Sequence, residues 1–363
     1  MMAVLITVVG TTLDPGAAAA LFPTLATLRR SRSFSTGRPR SIGSRRMRTI
    51  RFALLALIAL APLDAADRQP QNLADSDALR ALIAKVPLLD MERVELHPNV
   101  KLEGISAITA DKAGHIYVIH RPTDPKADPV VVLDHDGTLL RSWGKGMFTI
   151  PHGIEIGPDG NVWTTDAHTS KIFEFTPMGK KLLEIEVGGI PDATADFCSI
   201  TDVAFSPARP GHVFVADGYC NGRVLEYDAA GAKVQEFGAK GDGAGQFNNA
   251  HGIAVGPDGY IYVADRENGR VQWFDLRGTL LGVRTYGGQF YNIVFDSKGE
   301  MWAAVHPKGV SLDEEFHVVH FDVKTGTMLG RVTGRSHQLG IGFDGSIYPA
   351  TRSDTLIVYR PKK

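Results

Sequence analysis

HGIEIGPDGNVWTTD at 152–166 and HGIAVGPDGYIYVAD at 251–265 are two copies of one pattern. Each is an apolar run, a turn on Asp159-Gly160 or Asp258-Gly259, and a second apolar run. Asp-Gly between alternating hydrophobic segments is a strong hairpin signal. Weaker copies start at Ser106 (SAITADKAGHIYVIHR), Thr201 (TDVAFSPARPGHVFVAD), Tyr291 (YNIVFDSKGEMWAAV) and His337 (HQLGIGFDGSIYPAT). A polar loop, a third strand, a glycine turn and a fourth strand follow, as in RVLEYDAAGAKVQEFG at 223–238 and RVQWFDLRGTLLGVRTYG at 270–287. A period of roughly 40 to 50 residues marks a radially repeated sheet architecture.

Five units are complete, and the sixth, from His337, ends after a third strand near Tyr359. A lone strand-like segment, Val94 to Val100, precedes the first unit and can pair as the missing outer strand. The sequence therefore predicts an all-β, six-bladed β-propeller over 90–363, closed by an N-terminal strand. Such a ring hides the sheet edges. Residues 67–89 read as a leader with a helix around Ser76 to Lys85.

The first 66 residues differ from this body. They hold nine arginines, no lysine, and only Asp14 and Asp64 as acids. The remainder carries 30 basic against 38 acidic residues, a net charge of about −8. A mildly acidic body argues against nucleic acid as a partner. Residues 47–66 have the form of a secretory signal: Arg48 and Arg51, an apolar core from Phe52 to Ala61, and small residues at Ala65 and Ala66. The core is too short for a stable membrane anchor. The expectation is export to a periplasm or the medium. Residues 1–46 read as an over-extended start or a transit segment. The two cysteines, Cys198 and Cys220, are a disulfide candidate in an exported chain, with two free thiols as the alternative.

In antiparallel blades, the entry to strand one and the loop after strand two emerge on the same face. Strand one is innermost, so its first residue lies beside the central channel. In blade order that residue is Ser106, His152, Thr201, His251, Tyr291 and His337. Histidine occupies every second blade, so three imidazoles converge from directions about 120° apart. Three neutral nitrogens with an open fourth position suit a catalytic zinc, although imidazole accepts other transition metals. The loops after strand two place Arg121, Tyr219 and Arg266 on that rim. Guanidinium pairs naturally with a carboxylate, and a tyrosine beside a metal and arginines could ionise below its free value and serve as a base.

The Pro-His-Gly, Asp-Gly-Tyr-Cys-Asn and Ala-Asp-Arg-Glu-Asn-Gly-Arg runs resemble those of peptidyl-α-hydroxyglycine α-amidating lyase, an NHL-repeat propeller family. The likeness extends over about residues 90–360. It implies zinc on His152, His251 and His337, catalysis by Tyr219 with Arg121 and Arg266, and a Cys198–Cys220 disulfide. It also implies a structural calcium on the backbone carbonyls of Ile108, Ile154 and Gln338. The chain departs from the family pattern at Tyr262 and Trp273, where a second disulfide would fall and an aromatic cross-strand pair is expected instead. It departs again at Arg335, two positions before the third histidine, which marks Arg335 and Tyr291 as substrate-pocket candidates.

Three readings follow. The first is a metal-dependent carbon–nitrogen lyase that splits an N-acyl- or peptidyl-α-hydroxyglycine, a small carboxylate-bearing substrate, into an amide and glyoxylate. The second is an exported propeller that binds a protein or ligand without chemistry. The third is a metal-dependent hydrolase or lactonase, against which the histidines and hydroxyls at the channel anchors count.

Overall fold

A computed structural model describes residues 75–189, 192, 194–308 and 316–362. The readings made for residues 1–74, including the signal, lie outside the described residues. The described chain forms six four-stranded antiparallel sheets in a ring. The innermost strands are Ala107–Ala110, Pro151–Ile156, Asp202–Ala204, Ala250–Val255, Gly288–Phe295 and Leu339–Ile341. Each neighbours the inner strand of the next blade, and the first neighbours the sixth. Among the described residues, no helix is long and apolar enough to cross a membrane.

Ring closure is as the repeat count requires, with shifted limits. The closing strand is Met91–Leu96, pairing from Met91 with Pro361 to Leu96 with Leu356. It therefore starts and stops earlier than Val94 to Val100. Pro98, which has no N–H to donate, follows it closely and prevents its continuation. The leader helix is Ser76–Ile83, capped by the Asp75 carboxylate on the N–H groups of Asp77 and Ala78. Its Leu79 and Ile83 are buried among Tyr286, Phe290 and Val305, which seats the helix on the fourth and fifth blades.

Between blades, apolar clusters alternate with the strand period. Ile116, Val118, Val131 and Leu133 face the sixth blade, whereas Tyr117, Ile119, Val130 and Val132 face the second. Tyr262 stands opposite Trp273, and their rings stack at 6.2 Å. The expected cross-strand aromatic pair thus fills the place of a bridge.

Two local features were not read from the sequence. The inner strands bulge at the channel anchors: Pro151 and Ile154 pair consecutively with Asp166 and Thr164, leaving His152 and Gly153 against a single residue. The pairing likewise skips His251 in the fourth blade and Tyr291 in the fifth. A bulge frees a residue from the ladder and re-aims its side chain. The aspartates that close strand two have a separate role. Asp166 accepts from the N–H groups of Thr149, Ile150, His168 and Thr169, so it holds the strand-one entry and its own following loop together. Asp265 ties Asn248 N–H to Asn268 and Arg270 in the same way.

Candidate active site

His152, His251 and His337 are buried at 0%, 0% and 1% exposure, and their ligand nitrogens lie within 4.8 Å of one another. Each Nδ1 points away, towards a carbonyl of a neighbouring blade: Thr201 at 2.7 Å, Tyr291 at 2.6 Å and Ser106 at 3.4 Å respectively. A ring N–H committed to a carbonyl leaves Nε2 as a bare lone pair, the arrangement that metal-bound imidazole uses. The His337 Nε2 is buried without a partner. Burial is the first cause holding all three rings well below the usual imidazole range. The charges of Arg121 on His152, and of Arg266 on His251, add to it. Three neutral, convergent and under-satisfied nitrogens fit a divalent metal ion.

The carbonyls that hold the rings are themselves anchor or rim positions. Thr201, the third anchor, donates its hydroxyl to the Ala216 and Ala250 carbonyls, which ties blade three to blade four beside His251. Gly252 allows close approach on the far side of the same ring. A Cβ there would come within 2.6 Å of the Asn292 backbone.

The Tyr219 hydroxyl lies 2.7 Å from His152 Nε2 and 3.1 Å from His251 Nε2. Gly218 makes this reach feasible, because any side chain at that position would strike the Ala250 carbonyl. Cys198 and Cys220 are bonded, with Cα atoms 4.8 Å apart, so the residue after Tyr219 is fixed to the lead-in of its own blade. Burial pushes the Tyr219 phenol upward, while Arg266, Arg352 and Arg121 pull it down. Without a metal, burial outweighs the arginines; a cation on the three histidines would act on the arginines' side.

Arg121 donates to the Pro151 carbonyl and to Ser106 Oγ, at 3.0 Å each. It stacks over Phe197 at 5.3 Å, and burial followed by the charge of Arg352 lowers its pKa to about 10, so it stays charged at neutral pH. Arg266 lies 4.8 Å over Tyr291 and 5.9 Å from the Tyr219 ring, and it pairs with Glu267 at 2.8 Å. Tyr291 is buried, with its ring 5.4 Å from that of His251 and 5.9 Å from that of His337. Arg335 is near enough to act electrostatically on the Tyr291 phenol.

Arg352 was missed. It acts on His152, His251, His337, Tyr219 and Arg121. The repeat carries its signal: aligning IYPATR with IYVADR and IYVIHR places Arg352, Arg266 and Arg121 at one register after strand two.

The calcium position fares less well. The Gln338 carbonyl already accepts from Ala350 N–H at 2.9 Å and Ser336 Oγ at 2.7 Å. Ser336 would have to turn away before a cation could take it. A cavity of about 860 Å³ opens at the other end of the channel, where Ile156, Ala204, Val255 and Phe295 end their inner strands. It touches none of the histidines, so the chemistry is assigned to the histidine end on donor geometry instead of size.

The NHL repeat model matches residues 247–274. Peptidylglycine alpha-amidating monooxygenase of Rattus norvegicus is 38% identical over 156 residues, covering 40% of this chain and 16% of that protein. The match thus spans about a sixth of that relative's length. Peptidyl-alpha-hydroxyglycine alpha-amidating lyase 1 of Drosophila melanogaster is 32% identical over 227 residues, covering 53% and 41%. A Caenorhabditis elegans protein named "Probable peptidyl-alpha-hydroxyglycine alpha-amidating lyase" is 28% identical over 294 residues, covering 71% and 83%. Among solved structures, a streptogramin B lyase superposes with a TM-score of 0.54 at 13% identity, covering 75% of this chain and 98% of that one. A virginiamycin B lyase from Staphylococcus aureus gives 0.51 at 14% identity, with 75% and 99% covered. These two structures bear on the fold alone. The repeat and the blades make the chain an NHL-repeat β-propeller, and the relatives it resembles over part of their length, at 28–38% identity, are named as peptidyl-α-hydroxyglycine α-amidating lyases.

Proposed function

We propose that the chain is a metal-dependent carbon–nitrogen lyase that converts an N-acyl- or peptidyl-α-hydroxyglycine into an amide and glyoxylate. The observation that carries this reading is the convergence of three histidine side chains, two of them with Nε2 on the Tyr219 hydroxyl and the third, His337, with a buried Nε2 that has no partner. His152, His251 and His337 would hold the metal, with zinc the best match to three imidazoles and an open position. When bound, the ion supplies Lewis acidity next to the substrate oxygens.

The chain's own residues do the rest. Arg121 and Arg266 bind the substrate carboxylate and fix the carbinol carbon beside Tyr219. The Tyr219 oxygen takes the proton of the substrate hydroxyl. The C–O pair closes to a carbonyl, the C–N bond breaks, and its electron pair leaves on the amide nitrogen. Tyr219 then returns the proton to that nitrogen, so atoms and charge balance. The arginines stay charged throughout and oppose the negative charge that develops. Named relatives described as α-amidating lyases support the reaction class.

The test uses α-hydroxyhippurate and the exported portion of the chain, wild type and His251→Ala. The expected result is glyoxylate release and about one metal ion per chain in the wild type, with both lost in the variant. Metal in neither protein would remove this reading. Metal without glyoxylate would leave a metal site and reject this substrate class.

A further inference from the structure

The rim over the three histidines carries three arginines, and the guanidinium of one has no partner among the described residues. Arg121, Arg266 and Arg352 stand at the same register of blades one, four and six. The acids around them are already engaged. Asp166 is held by four backbone N–H groups. Glu267 is held by Arg266 and Gln289. Asp354, two residues beyond Arg352, accepts from Gly104 N–H at 2.8 Å. No carboxylate among the described residues pairs with Arg352. Arg121 donates to the Pro151 carbonyl and Ser106 Oγ, and Arg266 pairs with Glu267, so Arg352 is the rim guanidinium that no described side chain holds.

Arg352 is also placed deliberately. Its φ is 55°, a left-handed conformation that a side chain of this size rarely adopts. The backbone is clamped there by Arg352 N–H to the Ile105 carbonyl at 3.0 Å and Ile105 N–H to the Ser353 carbonyl at 2.9 Å. Thr351 and Ser353 close the turn through their hydroxyls at 2.6 Å. Strain of this kind persists where surrounding bonds over-determine it, and it concentrates at ligand clamps. These bonds tie the Arg352 turn to the residue before Ser106, the anchor that Arg121 holds.

We propose that the site takes an α-hydroxyglycine whose N-acyl portion carries a second anionic group, and that Arg352 receives that group. This deepens the lyase reading and rests on it for the reaction, while the anion site itself can be tested without turnover. Arg352 acts here as a specificity-determining residue. A guanidinium forms a two-point contact with a carboxylate, so lysine replaces it only in part.

The experiment compares α-hydroxyhippurate with its para-carboxy derivative, by glyoxylate release. It then compares hippurate with para-carboxyhippurate, which lack the hydroxyl and cannot react, by calorimetry. The wild type is expected to favour the para-carboxy member of each pair by about tenfold to hundredfold, the range of one charge-assisted contact. Arg352→Asn, chosen because asparagine tolerates the left-handed backbone, is expected to bring both ratios close to one. Arg352→Lys should recover part of each. An equal loss for both members of a pair in Arg352→Asn would make Arg352 a clamp on the shared carboxylate and overturn the proposal. So would the absence of any preference in the wild type. Preference in the calorimetric pair without glyoxylate from either substrate would reject the lyase reading and leave the anion site standing.

Discussion

The Tyr219 hydroxyl is the atom where metal site and chemistry meet. It touches His152 Nε2 and His251 Nε2, and three arginines act on it. Replacing Tyr219 by Phe keeps the ring against Phe197 and removes only the oxygen. Metal content should then equal that of the wild type, and kcat for glyoxylate release should fall by about 10²- to 10⁴-fold, the usual worth of a positioned acid–base group. An unchanged kcat would take the proton-transfer role from this residue. At this scale the sequence was legible wherever a residue type repeated at a register. The three histidines were visible because every second anchor is one. Arg352 was equally in register, although Thr351 stands where blades two, three and four carry an aspartate, as His120 does before Arg121. Without that aspartate the loop is held by Thr351, Ser353 and the Ile105 backbone instead.

Elements place these residues through irregularities that a strand pattern does not reveal. The period-two alternation located every blade, yet the anchors turn inward on bulges, where one strand carries an extra residue. A bulge has no composition of its own beyond an occasional glycine, here Gly153 and Gly252. The loop carrying Tyr219 is likewise fixed by contacts outside the strand ladder, by the Gly218 approach to Ala250 of the next blade and by the Cys198–Cys220 bond to the lead-in of its own blade. The cysteines are 22 residues apart in sequence. Closing a loop of that size stabilises a fold by about 3 kcal/mol in the chain-entropy account. The Cys198→Ser, Cys220→Ser double variant should lose about that much in urea unfolding. It should also lower kcat at a temperature where it is still folded, because the residue after Tyr219 is then no longer bonded to the lead-in of its blade. A lower unfolding midpoint with an unaltered kcat would make the bridge a stability device alone.

The described residues form a ring with two unlike ends, and the sequence disclosed only one. Anchors face the histidine end; the opposite half of the channel is built from residues further along the inner strands. Asp202 there accepts from the Val203 and Ile253 N–H groups and from the Asn292 side-chain amide, which also donates to the Gln338 side-chain Oε1. Glu155 lies in the same channel, wetted from the far mouth but surrounded by protein. These acids were illegible because Asp202 and Glu155 come from different blades, 47 residues apart, and neither interrupts its strand pattern. Burial raises both carboxyls, and the charge of Asp202 raises Glu155 further. The sign follows from proton counting. Between the ordinary carboxyl value and the raised one, the folded state holds a proton that the unfolded chain has released, so stability falls as pH rises across that window. The slope is about 1.4 kcal/mol per pH unit for each such group. Glu155→Gln removes one of them. With a chelator present, urea unfolding of variant and wild type should agree near pH 4. The variant should become progressively the more stable of the two as the pH approaches neutrality, and the gap should then stop widening. A wild type more stable than Glu155→Gln at neutral pH would mean that the ionised pair has a cationic partner in the channel, and the far half of the ring would then have to be treated as a binding site in its own right.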